Sequence, residues 1–200
     1  MKVSSKKNPI ILIHGLWNKS DIFSLITSKL DEFGIEYFAP TLKHDYGMTS
    51  IVKLTYLLND LILEKYGLEK ELDILGFSMG GIIGRYWIKK LNGYKRTRRF
   101  ITVGSPHKGT LASQFVPKYP FRGISEMKIN SLLLKDLSSY DYLLDDINCI
   151  SFFTYWDLMV FPGWRANLNS GEKISLNIYK HRNLIRNPAA VERIVDKVLM

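Results

Sequence analysis

This chain contains one cysteine, Cys149, and four histidines, His14, His44, His107 and His181. A single cysteine excludes an internal disulfide and any metal site built from cysteines. Cys149 lies in the apolar run Ile147 to Phe153, with nothing nearby to lower its pKa, so a buried structural thiol is expected. No stretch approaches the roughly eighteen apolar residues of a membrane span. Internal repeats, low-complexity tracts and interdomain linkers are missing as well. The basic N-terminus, Met1 to Pro9, leads into a short apolar run and not into a leader with a cleavage site. No signal peptide is therefore expected; a cytoplasmic location is the default, and a secreted mature form is the alternative.

Acidic side chains are absent from Gly76 to Ser125, whereas Arg85, Lys89, Lys90, Lys95, Arg96, Arg98, Arg99, Lys108, Lys118 and Arg122 all fall there. The net charge is +9. A solvated helix face and loop account for such a run. Attraction to an anionic lipid surface or an anionic substrate is the alternative. Nucleic acid is not expected as a partner, because no recognition motif accompanies the charge.

What is present is apolar mass in an alternating pattern. Of 200 residues 46% are hydrophobic and 12% aromatic, which suits one domain with a sizeable core. Strands are predicted at Ile10 to Ile13, Ile35 to Ala39, Leu72 to Leu75, Phe100 to Val103, Ile147 to Phe153 and Ile174 to Ile178. Helices are predicted at Ser20 to Phe33, capped by Ser20, and at Thr49 to Tyr66, Met79 to Leu91 and Ala189 to Leu199. This alternation predicts an α/β domain over 1–200, a mostly parallel sheet with helices on both faces. An insertion at about 108–146, with helical character from Ser131 to Tyr142, breaks the rhythm. It is expected to cover the C-terminal end of the sheet and face the substrate.

The segment Gly76-Phe77-Ser78-Met79-Gly80-Gly81 joins an apolar strand pattern to a helical one. G-x-S-x-G in that setting is a nucleophile elbow: a tight turn sets the serine at a helix N-terminus, where amides and the helix dipole favour developing negative charge. The alternative is a glycine-rich turn with Ser78 as a helix cap. A serine hydroxyl needs a base and a group to orient that base. In this chain order the acid and then the histidine follow the serine. His107 comes too early, directly after the neighbouring strand. His181 follows the last strand and is expected to be the base. Among Glu126, Asp136, Asp141, Asp145, Asp146, Asp157 and Glu172, only Asp157 stands just past a strand end, and it is the expected acid; Glu172 reads as a loop tip. The backbone amides of Met79 and Leu16 are the expected oxyanion donors. His14 is expected to hold the Leu16 loop by hydrogen bonding, and Trp17, Trp156, Met159 and Phe161 are candidates for an acyl pocket, with Trp164 close by in sequence.

The set His14-Gly15-Leu16-Trp17, Gly76 to Gly81, Gly104-Ser105-Pro106-His107-Lys108-Gly109-Thr110, Asp157 to Pro162 and His181 resembles α/β-hydrolase lipases and esterases, especially the small bacterial triacylglycerol-lipase-like group. The resemblance runs from about Asn8 to Leu199. Phe77 stands where many of those proteins carry histidine, and Trp156 where a glycine usually precedes the acid. The resemblance implies ester hydrolysis through an acyl-enzyme by Ser78, Asp157 and His181, on a small-molecule or lipid ester, with neither cofactor nor metal. Acyl transfer and thioester hydrolysis use the same constellation, and a non-catalytic binding protein of hydrolase shape is the reading from another class.

Overall fold

The computed structural model describes residues 7–200, and the basic segment 1–6 considered above lies outside the described residues. Ile10–Ile13 (β1) is buried along its whole length, as a short apolar run flanked by loops requires. A 3-10 turn over Ser20–Phe23 then leads into Ser24–Glu32 (α1). Ser20 caps neither element: Lys19 holds the cap position of the 3-10 turn and Phe23 that of α1, with no side-chain bond at either, because the chain enters through the tighter turn. Tyr37–Phe38 (β2) precedes Ile51–Tyr66 (α2). The Ser50 side chain accepts from the Lys53 amide, and the Gly67 N–H closes the other end of α2. Leu72–Phe77 (β3), Met79–Lys90 (α3) and Thr97–Val103 (β4) follow in close succession.

Between β4 and the next strand, the insertion holds two short helices, Arg122–Ser125 (α4) and Leu132–Ser138 (α5). Asn148–Phe153 (β5), Glu172–Ser175 (β6) and Pro188–Leu199 (α6) complete the chain. Glu172, expected at a loop tip, instead opens the edge strand β6, and its carboxylate meets Lys197 of α6 at 2.8 Å. Asn187 caps α6 by accepting from the Ala189 and Ala190 amides.

All six strands are parallel, in the order β2-β1-β3-β4-β5-β6. Alternate side chains along each strand feed two separate cores. Ile11, Ile13, Ile74 and Phe100 pack with α2, α3 and the insertion. Ile10, Leu12, Leu75, Ile101 and Phe152 pack with α1 and α6 on the other face. The chain winds to opposite sides from β1 and from β3. Their C-terminal ends thus form a crevice where the strand order reverses, the position at which such sheets bind ligands.

The basic run is solvated in part, with Lys95, Arg98, Lys108, Lys118 and Arg122 exposed, but its helical part departs from the solvated face expected of it. Arg85 and Lys89, one turn apart on α3, are buried. The Arg85 guanidinium donates to Asp141 at 2.8 Å, the Lys89 ammonium donates to the same oxygen, and Asn169 donates to the other oxygen at 2.7 Å. Burial, reinforced by the neighbouring Arg85, brings the Lys89 pKa down to about 8. Burial alone would raise Asp141, but its bonds to Lys89 and Arg85 hold it at about 2. Further along, Arg98 pairs with Glu71 and Arg99 with Asp73. The Asp141 cluster fastens the insertion to α3, and the other two pairs join β4 to the start of β3. Ile124, Met127, Leu134, Leu137 and Leu144 of the insertion are themselves core residues, so the cover is packed onto the domain.

Candidate functional site

Ser78 ends β3 and precedes α3 in a left-handed conformation, φ 54 and ψ −125, that non-glycine residues rarely adopt. Two close approaches make this turn possible. A Cβ at Gly80 would lie 2.0 Å from the Ile13 carbonyl oxygen, and one at Gly76 would lie 2.4 Å from the Gly81 Cα. Only glycine lets β3, α3 and the end of β1 meet so closely. The Ser78 amide donates to the Val103 carbonyl at 2.9 Å, which ties the turn to β4.

The loop after β1 presses on the same serine. A Cβ at Gly15 would stand 2.7 Å from the Ser78 Cβ. His14 anchors that loop from within: its Nδ1 donates to the Gly15 carbonyl at 2.9 Å, while its Nε2 accepts from the Leu42 amide at 2.9 Å. Burial lowers the His14 pKa and keeps the ring neutral, as this pair of bonds requires. Leu16 N–H, in the loop, and Met79 N–H, in the first turn of α3, have no protein acceptor among the described residues. Two free amides flanking Ser78 are what an oxyanion would use.

Asp157 and His181 come from the loops after β5 and β6. Asp157 is buried, and its two carboxylate oxygens divide the work. Oδ1 accepts the Met159 and Val160 amides, each at 2.9 Å, and Oδ2 meets His181 Nδ1 at 2.6 Å. With Nδ1 donating, Nε2 carries the lone pair. Nε2 is buried and without a hydrogen-bond partner among the described residues, so Ser78 does not bond to it here. Phe77 fixes the ring from beneath, stacked at 4.9 Å between centroids and 27° between planes. Gly104, at φ 57, leaves room for it: a Cβ there would lie 3.0 Å from His181 Cε1. Sequence reasoning did not assign positioning roles to Phe77 or Gly104. The glycine in Gly104-Ser105-Pro106 directly after a strand was the available signal.

Ser78 and His181 both line a cavity of about 440 Å³. Its walls are mostly apolar: Leu16, Phe77, Val116, Ile124, Met127, Met159 and Val160, with Trp17 at one side and Lys180 and Arg182 beside His181. Among the described residues no carboxylate lines it. Of the aromatic and thioether candidates, Trp17 and Met159 lie on the wall, but Trp156 and Phe161 do not. Trp156 instead stacks on Tyr179 at 5.7 Å and is 56% exposed. Phe161 is held through its amide by Thr110 Oγ1 at 3.1 Å, with its ring 45% exposed. Trp164 likewise lies off the wall, with Arg165 over its ring. The far wall comes from the insertion, which sequence periodicity does not resolve.

The two remaining nucleophile and base candidates lie outside the cavity. Burial pushes the Cys149 thiol up to about 12, which leaves it protonated. His107 is wholly buried, with both ring nitrogens unpartnered among the described residues. Burial, then the charges of Arg85 and Lys89, lowers its pKa well below the ordinary value.

Among solved structures, a lipase of Bacillus licheniformis, BlEst2 in mature form, superposes with a TM-score of 0.73 at 15% identity, covering 97% of this chain and 93% of that one. Lipase B of Aspergillus fumigatus gives a TM-score of 0.78 at 15% identity over 97% of this chain and 53% of that one. An extracellular α/β-hydrolase from a Paenibacillus species gives 0.67 at 15% identity over 94% and 98%. At such identities the likeness establishes the α/β-hydrolase fold. No curated protein matches the chain. Among the described residues no helix is long and apolar enough to cross a membrane. A family model described as palmitoyl protein thioesterase matches residues 9–156, well over half of the sequence, and the chain belongs to that family of α/β-hydrolases.

Proposed function

We propose that this protein is a serine hydrolase that cleaves carboxylic esters of apolar acyl chains through an acyl-enzyme. One observation carries the reading: the strained Ser78 and the Asp157-bound His181 open onto one apolar cavity with two free amides beside the serine. His181 Nε2 takes the Ser78 proton as Oγ attacks the acyl carbonyl. The Leu16 and Met79 amides hold the oxyanion, and Asp157 holds the imidazolium that forms. The imidazolium protonates the departing oxygen or sulfur. Water then repeats the sequence on the acyl-enzyme and releases the acid.

Thioesters form the second substrate class, favoured by the family to which the chain belongs. Hydrolysis of p-nitrophenyl esters and acyl-CoA thioesters of increasing chain length separates the two. Rates are expected to rise with chain length on both, because the acyl chain gains contact with Val116, Ile124 and Met127. A fluorophosphonate is expected to label Ser78 alone. No labelling and no turnover of either series would leave a binding protein of hydrolase shape.

Gly15 gives a sharper check on the oxyanion loop. Gly15→Ala places a methyl against Ser78 and pushes the Leu16 amide outward. A fall in kcat of about a hundredfold is expected, with a loss of stability of about 1–3 kcal/mol that leaves the chain folded. Unaltered kcat would remove Leu16 from the mechanism.

A further inference from the structure

We propose that the rim around the cavity mouth docks onto an anionic lipid bilayer. Large apolar side chains stand out from this rim with nothing covering them: Phe115 is 90% exposed, Tyr119 89%, Leu158 79% and Trp156 56%. Isolated exposed hydrophobes are ordinary, but several on the loops that line one opening mark a contact surface, and Phe115 and Leu158 directly precede Val116 and Met159 of the cavity wall. The loops that carry them are tied into one face at the C-terminal end of the sheet. Thr110 Oγ1 donates to the Met159 carbonyl at 2.8 Å, the Leu111 amide donates to the Phe161 carbonyl at 3.1 Å, and Trp156 stacks on Tyr179. Tryptophan and tyrosine at such a face suit the boundary between headgroups and acyl chains.

Charge selects the occupant. Residues 104–125 and 173–187 contain no carboxylate, and residues 147–171 contain only the buried Asp157. Lys108, Lys118, Lys180 and Arg182 are exposed on the same loops, and none of them pairs with a carboxylate among the described residues. Aromatic anchors interleaved with unpaired cations fit lipid phosphates above an apolar interior. A bilayer seated there would bring acyl chains directly to the mouth of the cavity. This inference rests on the surface and not on the chemistry at Ser78.

Cosedimentation of the full chain with phosphatidylcholine vesicles, with and without phosphatidylglycerol, tests it. Binding is expected only to the mixed vesicles, and it weakens as salt screens the cations. Phe115→Ser and Leu158→Ser should each weaken binding about tenfold. Lys118→Gln should weaken it about fivefold. Leu68→Ser removes a side chain that is 72% exposed at the opposite end of the sheet, and should change nothing. Ser78→Ala should bind vesicles like the parent chain, so a failure of the hydrolase reading leaves this result standing. No binding to mixed vesicles overturns the proposal. So does binding that survives both apolar substitutions, or a solution dimer that those substitutions dissolve, since a second copy would then cover the face.

Discussion

Ser78→Ala is expected to lower kcat by about ten-thousandfold or more on any ester the parent chain cleaves, with KM nearly unchanged. On the proposed mechanism the effect is large because Ser78, His181 and Asp157 act as a unit: the base has no proton to take once the hydroxyl is gone. His181→Ala should fall into the same range, and the double variant should lose little beyond either single one. Asp157→Asn is the more informative partner. Asparagine can still accept from the Met159 and Val160 amides through its carbonyl oxygen, so the turn after β5 survives. The other position then presents an amide N–H to His181 Nδ1, which favours the tautomer with its proton on Nε2, the wrong nitrogen for a base. A loss of about ten-thousandfold in kcat is expected without loss of fold, read by stopped-assay kinetics alongside circular dichroism. Retention of activity in Ser78→Ala would end the serine mechanism outright.

The elements that place this site follow closely from sequence pattern. Ile10–Ile13 is a short, wholly apolar run and Leu72–Phe77 is apolar but for Asp73, both bounded by loop residues, and the glycines around Ser78 mark where backbone must pass backbone. The positions of Asp157 and His181 just beyond strands β5 and β6 were legible for the same reason: parallel strands deliver their following loops to one edge. The cavity wall was not. Val116, Ile124 and Met127 sit in an insertion with short helices and turns, where no period of 2 or 3.6 persists long enough to tell inside from outside. Trp156 and Phe161 misled by proximity. Both adjoin Asp157 in sequence, but its tight turn spends the Met159 and Val160 amides on the carboxylate and turns the neighbouring rings outward. Arg85 and Lys89 misled by charge: α3 is buried on nearly every side, so its cations could be placed only by knowing that Asp141, far along the chain, arrives to meet them.

That arrival makes Asp141→Asn the substitution with the largest expected effect on stability. The Arg85 and Lys89 side chains are 2% and 0% exposed, and Asp141 supplies the only carboxylate paired with either among the described residues. Removing it strands two buried positive charges side by side, which costs about 3–5 kcal/mol. A domain of this size has roughly 5–15 kcal/mol in all, so a drop in melting temperature of roughly 10 °C follows. Asp136→Asn, breaking the more exposed pair with Lys90, should cost no more than about 1 kcal/mol. The loss should also depend on pH in a defined direction. Asp141 in the parent chain is held at about 2, below its ordinary 3.8, so its contribution is complete above the ordinary value and disappears as pH falls through 2. Lys89 is lowered to about 8, so the folded chain binds fewer protons than the unfolded chain between there and 10.5, and stability rises with pH across that window. In Asp141→Asn the window opens lower, because the carboxylate that favoured the ammonium is gone. The variant should therefore regain stability as Lys89 sheds its proton, starting below pH 8. Denaturation midpoints at several pH values measure this, and hydrogen exchange over Leu132–Ser138 reports whether α5 has come loose from α3. Equal midpoints for the variant and the parent chain at neutral pH would mean that these charges do not fasten the cavity wall.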